Sequence, residues 1–233
     1  MPALFKLAWF FYALTAQWFT QEPLPQPVTN NAIAGYIHKD VRVYFSFMGL
    51  GPGKTYKDIT RDAYIYTSLD RKWKKLPPVP GANGRLAAQA YASITGVLVF
   101  GGYTVDADGK ERTIGDVDIY VPSAFNRAEG YWARGLNMPV PVDDAVIGAA
   151  DENHIYLVSG WSNTDCVTNV QIYNPKQDHW GQATPIPGRP VFGPQDTTPR
   201  VGQVSNLPVG RRQVGNLPHG SAASVAVGCP AAG

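Results

Sequence analysis

A chain of 233 residues is long enough to bury a core, and 44% hydrophobic residues with 24 Gly, 20 Pro and 12 Tyr favour short strands joined by turns over long helices. A formal charge of +2 from 20 basic and 18 acidic residues, scattered along the chain, supplies no field that would draw in nucleic acid. Cys166 and Cys229 alone define neither a disulfide framework nor a metal set. At the start, Lys6 precedes the apolar run LAWFFYALTA (7–16). It is too short to span a bilayer but suits a signal-peptide core, so residues 1–16 are expected to direct periplasmic or secreted placement. A cytoplasmic chain that begins with an apolar strand is the alternative.

Three matched units follow. The segments VRVYFSFM (41–48), GVLVFGGY (96–103) and HIYLVSGW (154–161) read as buried strands that end in tight corners at Ser46, Gly101 and Ser159. Upstream, Asn31, Leu86 and Asp144 each stand fifteen residues before their corner. Downstream come DAYIY (62–66), DVDIY (116–120) and NVQIY (169–173), half-buried alternating strands. Each is followed by a tryptophan, Trp73, Trp132 or Trp180, and then by a proline hinge: LPPVP (76–80), LNMPVP (136–141) or PIPGRP (185–190).

Each unit holds four short strands and recurs at about fifty residues, the spacing of one blade of a radial β-propeller. VFGGY with DVDIY, Trp132 and the Met138-Pro139 hinge is similar to the kelch motif. The resemblance covers 25–193 and implies an all-β, partial kelch-type β-propeller with about three four-stranded blades, at 25–79, 80–138 and 139–193. Blade two matches best. Blade one carries Ser46-Phe47 in place of the double glycine, and blade three has Ser159-Gly160.

Propellers usually close with four to eight blades, so three leave open edges able to pair with other chains, and self-association is expected there. Where a fourth inner strand is due, the sequence turns to PQDTTPRVGQ (194–203), and QVSNLP (203–208) repeats as QVGNLP (213–218). Residues 194–233 are therefore expected to form a disordered, low-complexity tail that replaces further blades. On that reading the chain is a truncated piece of a longer propeller, which has no function of its own if the arc does not fold.

Residues just ahead of the inner strands are candidates for a ligand site at the channel mouth. The register makes Asn30, Arg85 and Asp143 equivalent, and likewise Asn31, Leu86 and Asp144. Amide, guanidinium and carboxylate groups together suit a polyhydroxylated ligand, while the same groups serve equally well as backbone partners at strand starts. Tyr103 and Trp161 follow the corners, where a flat ring suits a sugar face or packing between blades.

GLGPGKT (49–55) looks like a phosphate loop, but Met48 stands where the first glycine belongs and a strand follows, so it reads as a hairpin loop, like Gly109-Lys110. His38, His154 and His179 have no metal-ligand spacing, and neither a cofactor nor a metal is expected. The family resemblance extends to copper oxidases, whose modified tyrosine and histidine ligands have no match here, and to sialic-acid mutarotases, for which Arg85, Asp143 and Asp144 are the candidate acid and base groups. The leading expectation is a binding module for a carbohydrate or a protein, with a mutarotase-type enzyme as the alternative.

Overall fold

The computed structural model describes residues 18–190 apart from 124, 125 and 189, so the expected signal peptide and tail lie outside the described residues. Blade one is a four-stranded antiparallel sheet of β1 (Ala32–His38), β2 (Val41–Leu50), β3 (Ile59–Thr67) and β4 (Trp73–Leu76), in that order. Blade two begins with β5 (Gln89–Ala92) and β6 (Val97–Phe100). It then makes a separate hairpin of β7 (Tyr103–Val105) and β8 (Glu111–Thr113), and returns to its sheet with β9 (Val117–Pro122) and β10 (Gly130–Gly135). Blade three repeats this plan. Its sheet is β11 (Val146–Asp151), β12 (His154–Val158), β15 (Val170–Asn174) and β16 (His179–Ala183), with β13 (Trp161–Ser162) and β14 (Asp165–Cys166) as the extra hairpin.

The blades stack face on face, with β5 between β1 and β11. Alternation along each strand makes this possible, because successive side chains point to opposite faces of the sheet. On β6, Val97 and Val99 join the core shared with blade one, while Leu98 and Phe100 join the core shared with blade three.

The tryptophans are built in the same way in all three units. Trp73, Trp132 and Trp180 stand opposite Tyr66, Tyr120 and Tyr173 in their sheets. Their Nε1 groups donate to the carbonyls of Glu22 (2.9 Å), Pro77 (2.9 Å) and Leu136 (2.8 Å), each in the segment that leads into the blade. Phe47 meets the edge of Trp132 at 5.7 Å between ring centres, and Phe100 meets Trp180 at 5.9 Å. Each junction therefore joins a phenylalanine of one blade's second strand to the next blade's tryptophan, an edge-to-face contact that adds roughly 0.5–1.5 kcal/mol to the burial.

The corner of blade one differs from its sequence alignment. Positive φ occurs at Met48 (59°), Gly101 (58°) and Ser159 (61°), each followed by a glycine, Gly49, Gly102 or Gly160. The double-glycine place in blade one is therefore Met48-Gly49, two residues beyond Ser46-Phe47. The longer β1–β2 hairpin absorbs the difference: it pairs Ala32–His38 with 41–47, whereas β5 and β6 match only four residues each. The second glycine is required at this place by close backbone approach. A Cβ there would lie 2.9 Å from Thr29 O at Gly49, 2.6 Å from Leu86 O at Gly102 and 2.6 Å from Asp143 O at Gly160.

Trp180 is 7% exposed within a packed junction, whereas Trp73 lies on the open face of blade one. Trp180→Ala should lower the unfolding free energy by roughly 3–5 kcal/mol. Trp73→Ala should lower it by less than half as much, and urea denaturation of the two variants checks the difference.

Candidate functional site

The backbone of the corners sets the site. Thr29, Leu86 and Asp143 bridge to Leu50, Tyr103 and Trp161, the residues that follow the second glycines. The next residues, Asn30, Ala87 and Asp144, all adopt positive φ, at 58°, 53° and 49°. These three, one from each blade, are joined directly: Ala87 N donates to Asn30 O and Asp144 N donates to Ala87 O, both at 3.1 Å. The equivalence read from the sequence is thus shifted by one residue in blades one and two, where Asn30 and Ala87, not Asn31 and Leu86, correspond to Asp144. In blade one the shift follows from the displaced corner and the longer first hairpin, and in blade two from the bulge at Ala149/Asp151, which gives blade three one residue more between rim and corner.

The extra hairpins bring polar side chains to this rim. Thr113 Oγ1 donates to Asp143 Oδ2 at 2.9 Å, Asn163 N donates to Thr113 Oγ1 at 3.1 Å, and Thr113 N donates to Asn163 Oδ1 at 3.2 Å. This links β8 of blade two to the β13–β14 turn of blade three. The Asn30 side chain lies beside the Tyr103 hydroxyl and favours its ionised form. Burial, followed by the nearby carboxylates Glu111, Asp144 and Asp143, pushes the Tyr103 hydroxyl up to about 12. Asp143 is 4% exposed; burial, reinforced by Asp144 and Glu111 against the Thr113 bond, raises its carboxyl to about 7. Burial raises Asp144 as well. Thr104 Oγ1, beside Tyr103 on β7, is buried and has no hydrogen-bond partner among the described residues.

The structure therefore gathers Asn30, Asp143, Asp144 and the half-buried Trp161 on one rim. It places Asn31 and Arg85 elsewhere. Asn31 Nδ2 donates to Ser46 Oγ at 2.8 Å. The Arg85 guanidinium is 4% exposed, pairs with Asp118 through Nη2, and donates from Nη1 to Asp116 O at 3.4 Å. Burial works against both charges, pushing the Asp118 carboxyl up and Arg85 down, while Arg134 lies 3.3 Å from the other Asp118 oxygen. Gln171, which takes the place of Asp118 in blade three, grips the backbone of Val140 instead, at 2.8 and 2.9 Å. Both side chains hold the segment that enters their own blade.

Sequence reasoning missed Glu111, Thr113 and Asn163, whose hairpins lie outside the four-strand repeat. On the inner side of the arc the three inner strands line a cavity of about 630 Å³ through Ala34, Gly35, Ala90, Ala92, Gly148 and Ala149, with Asp151 and Glu152 at one end. Among the described residues no helix is long and apolar enough to cross a membrane, and no His, Cys, Asp or Glu group is arranged to hold a metal. The 49–55 segment runs from the end of β2 through a hairpin loop into a single turn at Tyr56–Asp58 and then β3, without a helix for a phosphate to cap.

The Asp143 carboxyl carries a pH test. A carboxyl held near 7 when folded but near 4 when unfolded keeps its proton longer in the folded state, so it stabilises below about pH 4, and that stability is lost as pH rises to about 7. Asp143→Asn retains an acceptor for Thr113 and cannot ionise. It should be more stable than the parent protein at pH 8, with the difference shrinking towards pH 5, as read from urea midpoints at the two pH values.

No protein-family model matches the chain. It is 27% identical over 149 residues to Kelch-like protein 40 of Xenopus tropicalis, covering 62% of this chain and 23% of that one. It is 28% identical over 130 residues to Kelch-like protein 40 of Xenopus laevis, covering 55% and 20%. The chain thus spans less than a quarter of the length of these curated relatives. The solved structure of YjhT superposes with a TM-score of 0.55 at 17% identity, over 74% of this chain and 56% of that one. Repeat, blade plan and these likenesses together show a β-propeller arc whose blades are similar to kelch repeats.

Proposed function

We propose that this arc is a binding module whose rim, at the corner end of the blades, recognises a carbohydrate. One observation carries the reading: Asn30, Tyr103, Asp143 and Asp144 meet around a hydrogen-bonded link between blades, with Trp161 beside them. Carboxyl and amide groups offer acceptors and donors to sugar hydroxyls, and the half-exposed indole offers a flat apolar surface to ring C–H groups. A protein partner that presents hydroxyl or amine groups is read by the same chemistry. The open blade edges add self-association.

A mutarotase-type activity is the second reading, supported by Asp143, whose carboxyl exchanges its proton near neutral pH. Its burial favours binding over catalysis, because a sugar ring oxygen must reach the carboxyl to share that proton.

Both readings are tested in one set of samples, with the amide spectrum of the protein followed during titration with neutral and acidic monosaccharides and their oligomers. Saturable shifts at Asn30, Asp144 and Trp161 that weaken at least tenfold in Asp144→Ala support sugar binding. Faster anomer exchange of freshly dissolved sialic acid, abolished in Asp143→Asn, supports the enzymatic reading. Shifts at no rim residue with any sugar leave the protein partner as the rim's ligand.

A further inference from the structure

We propose that the protein has a second binding site, at the far end of the junction between blades one and two, for a small aromatic carboxylate held by Arg127 and Lys39. The inference does not rest on what the rim binds. β1 runs from the rim to this place, seven residues at about 3.3 Å each, so the two sites lie at opposite ends of the blades.

The site is a cavity of about 450 Å³ between the two blades, within the roughly 300–1,000 Å³ of small-molecule sites. Its apolar wall is Tyr36, Val43 and Ile65, each at most 5% exposed, with Leu69 and Ala128 beside them. Cations stand around that wall. Lys39, Lys74 and Arg127 line the cavity together with His38, and Asp70 is the one carboxylate among its described lining residues. Asp70 is already engaged: Lys74 Nζ lies 2.9 Å from it and Thr67 Oγ1 donates to it at 3.0 Å. Arg127 and Lys39 pair with no carboxylate among the described residues.

Arg127 is held ready for a planar anion. The Tyr120 hydroxyl donates to its carbonyl at 3.0 Å, and Ala128 N donates to Asn126 Oδ1 at 3.1 Å, so the backbone is fixed on both sides of the side chain. Asn126 Nδ2 donates to Glu129 Oε1 at 2.8 Å, which occupies the carboxylate of the same loop. The guanidinium lies 5.6 Å from the centre of the Tyr36 ring and donates from Nη1 to the Tyr36 hydroxyl. Its remaining N–H groups meet no acceptor among the described residues. A carboxylate matches that planar fork with two parallel bonds, and an attached ring then lies against the apolar wall. Inorganic phosphate would leave the wall unused, and a neutral ligand would leave Arg127 unpaired.

The first hairpin supplies the wall and the second cation. It pairs Tyr36 with Val43 and ends at His38 and Val41, beyond the four pairs at which β5 and β6 stop. Its two-residue turn, Lys39-Asp40, has both residues in the left-handed region, at 46° and 64°, as a type I′ turn requires. Asparagine or glycine fits such a place with less strain than lysine. A lysine standing there at a conformational cost points to a use for its charge.

Amide NMR of the full chain titrated with phenylacetate and indole-3-acetate is the test, with phenylacetamide and indole-3-acetamide as neutral counterparts. Both acids should give saturable shifts at Val43, Leu69 and Ala128 and none at Ala87 or Asp144 of the rim. The amides should bind at least tenfold more weakly. Arg127→Gln should lower the affinity for the acids at least tenfold. Because that change also removes the bond to Tyr36, Lys39→Asn is the second variant. It should lower the affinity at least threefold while the urea midpoint stays level or rises, since asparagine suits the left-handed turn. No saturable shift with either acid at millimolar concentration overturns the proposal. So do equal affinities for acids and amides, shifts confined to the rim, or an affinity for the acids that neither substitution changes.

Discussion

Every junction in this molecule depends on a tryptophan whose ring lies in one blade and whose N–H is anchored to the segment arriving from the blade before. An indole is large enough to fill the wedge between two twisted sheets, and its single donor fixes which carbonyl the entering chain must present. With Trp132 and Trp180 so held, the edges of their rings meet Phe47 and Phe100 of the preceding blades. The spacing between sheets then follows, and the glycine corners can approach the rim backbone as closely as the missing Cβ atoms allow. The rim bonds between Asn30, Ala87 and Asp144 are the inner end of the same construction.

The chemistry of the rim is a by-product of this geometry. A residue in the left-handed region favours Asn, Asp or Gly, and two of the three rim positions are Asn30 and Asp144. The fold therefore places polar side chains around the axis for conformational reasons, and the extra hairpins add Glu111, Thr113 and Asn163. Asp143 is more unusual, since its partner is a single hydroxyl. A carboxyl with so little solvation and two acidic neighbours stays protonated towards neutral pH. Arg85, by contrast, contributes through the sheet: removing one member of a buried ion pair costs about 3–5 kcal/mol, which assigns it to the stability of the first junction.

The repeat was legible in the sequence because its strongest marks are side chains with fixed jobs. The DxxIY-type strands, the three tryptophans and the proline hinges all occupy equivalent places. The corner of blade one was not legible, since Met48 stands where the pattern calls for glycine and its identity gives no hint of positive φ. An ungapped fifteen-residue register then carried that error to the rim, pairing Asn31 with Asp144 in place of Asn30. Arg85 was drawn into the candidate site by the same register, while Asp118, which holds it, lies 33 residues away in another strand. Long-range pairs of this kind leave no trace in local spacing.

The central claim is that the blades form one cooperative stack joined at the rim, and amide hydrogen exchange at Ala87 and Asp144 tests it most directly. Their N–H groups bond across blade boundaries and belong to no strand, so isolated loops at these places would exchange quickly. Exchange as slow as that of Val99 and Leu157 in the core, released only by global unfolding, is the predicted result. Fast exchange at both amides, with the strand cores still protected, would show that the blades fold separately and that the rim is not a built site.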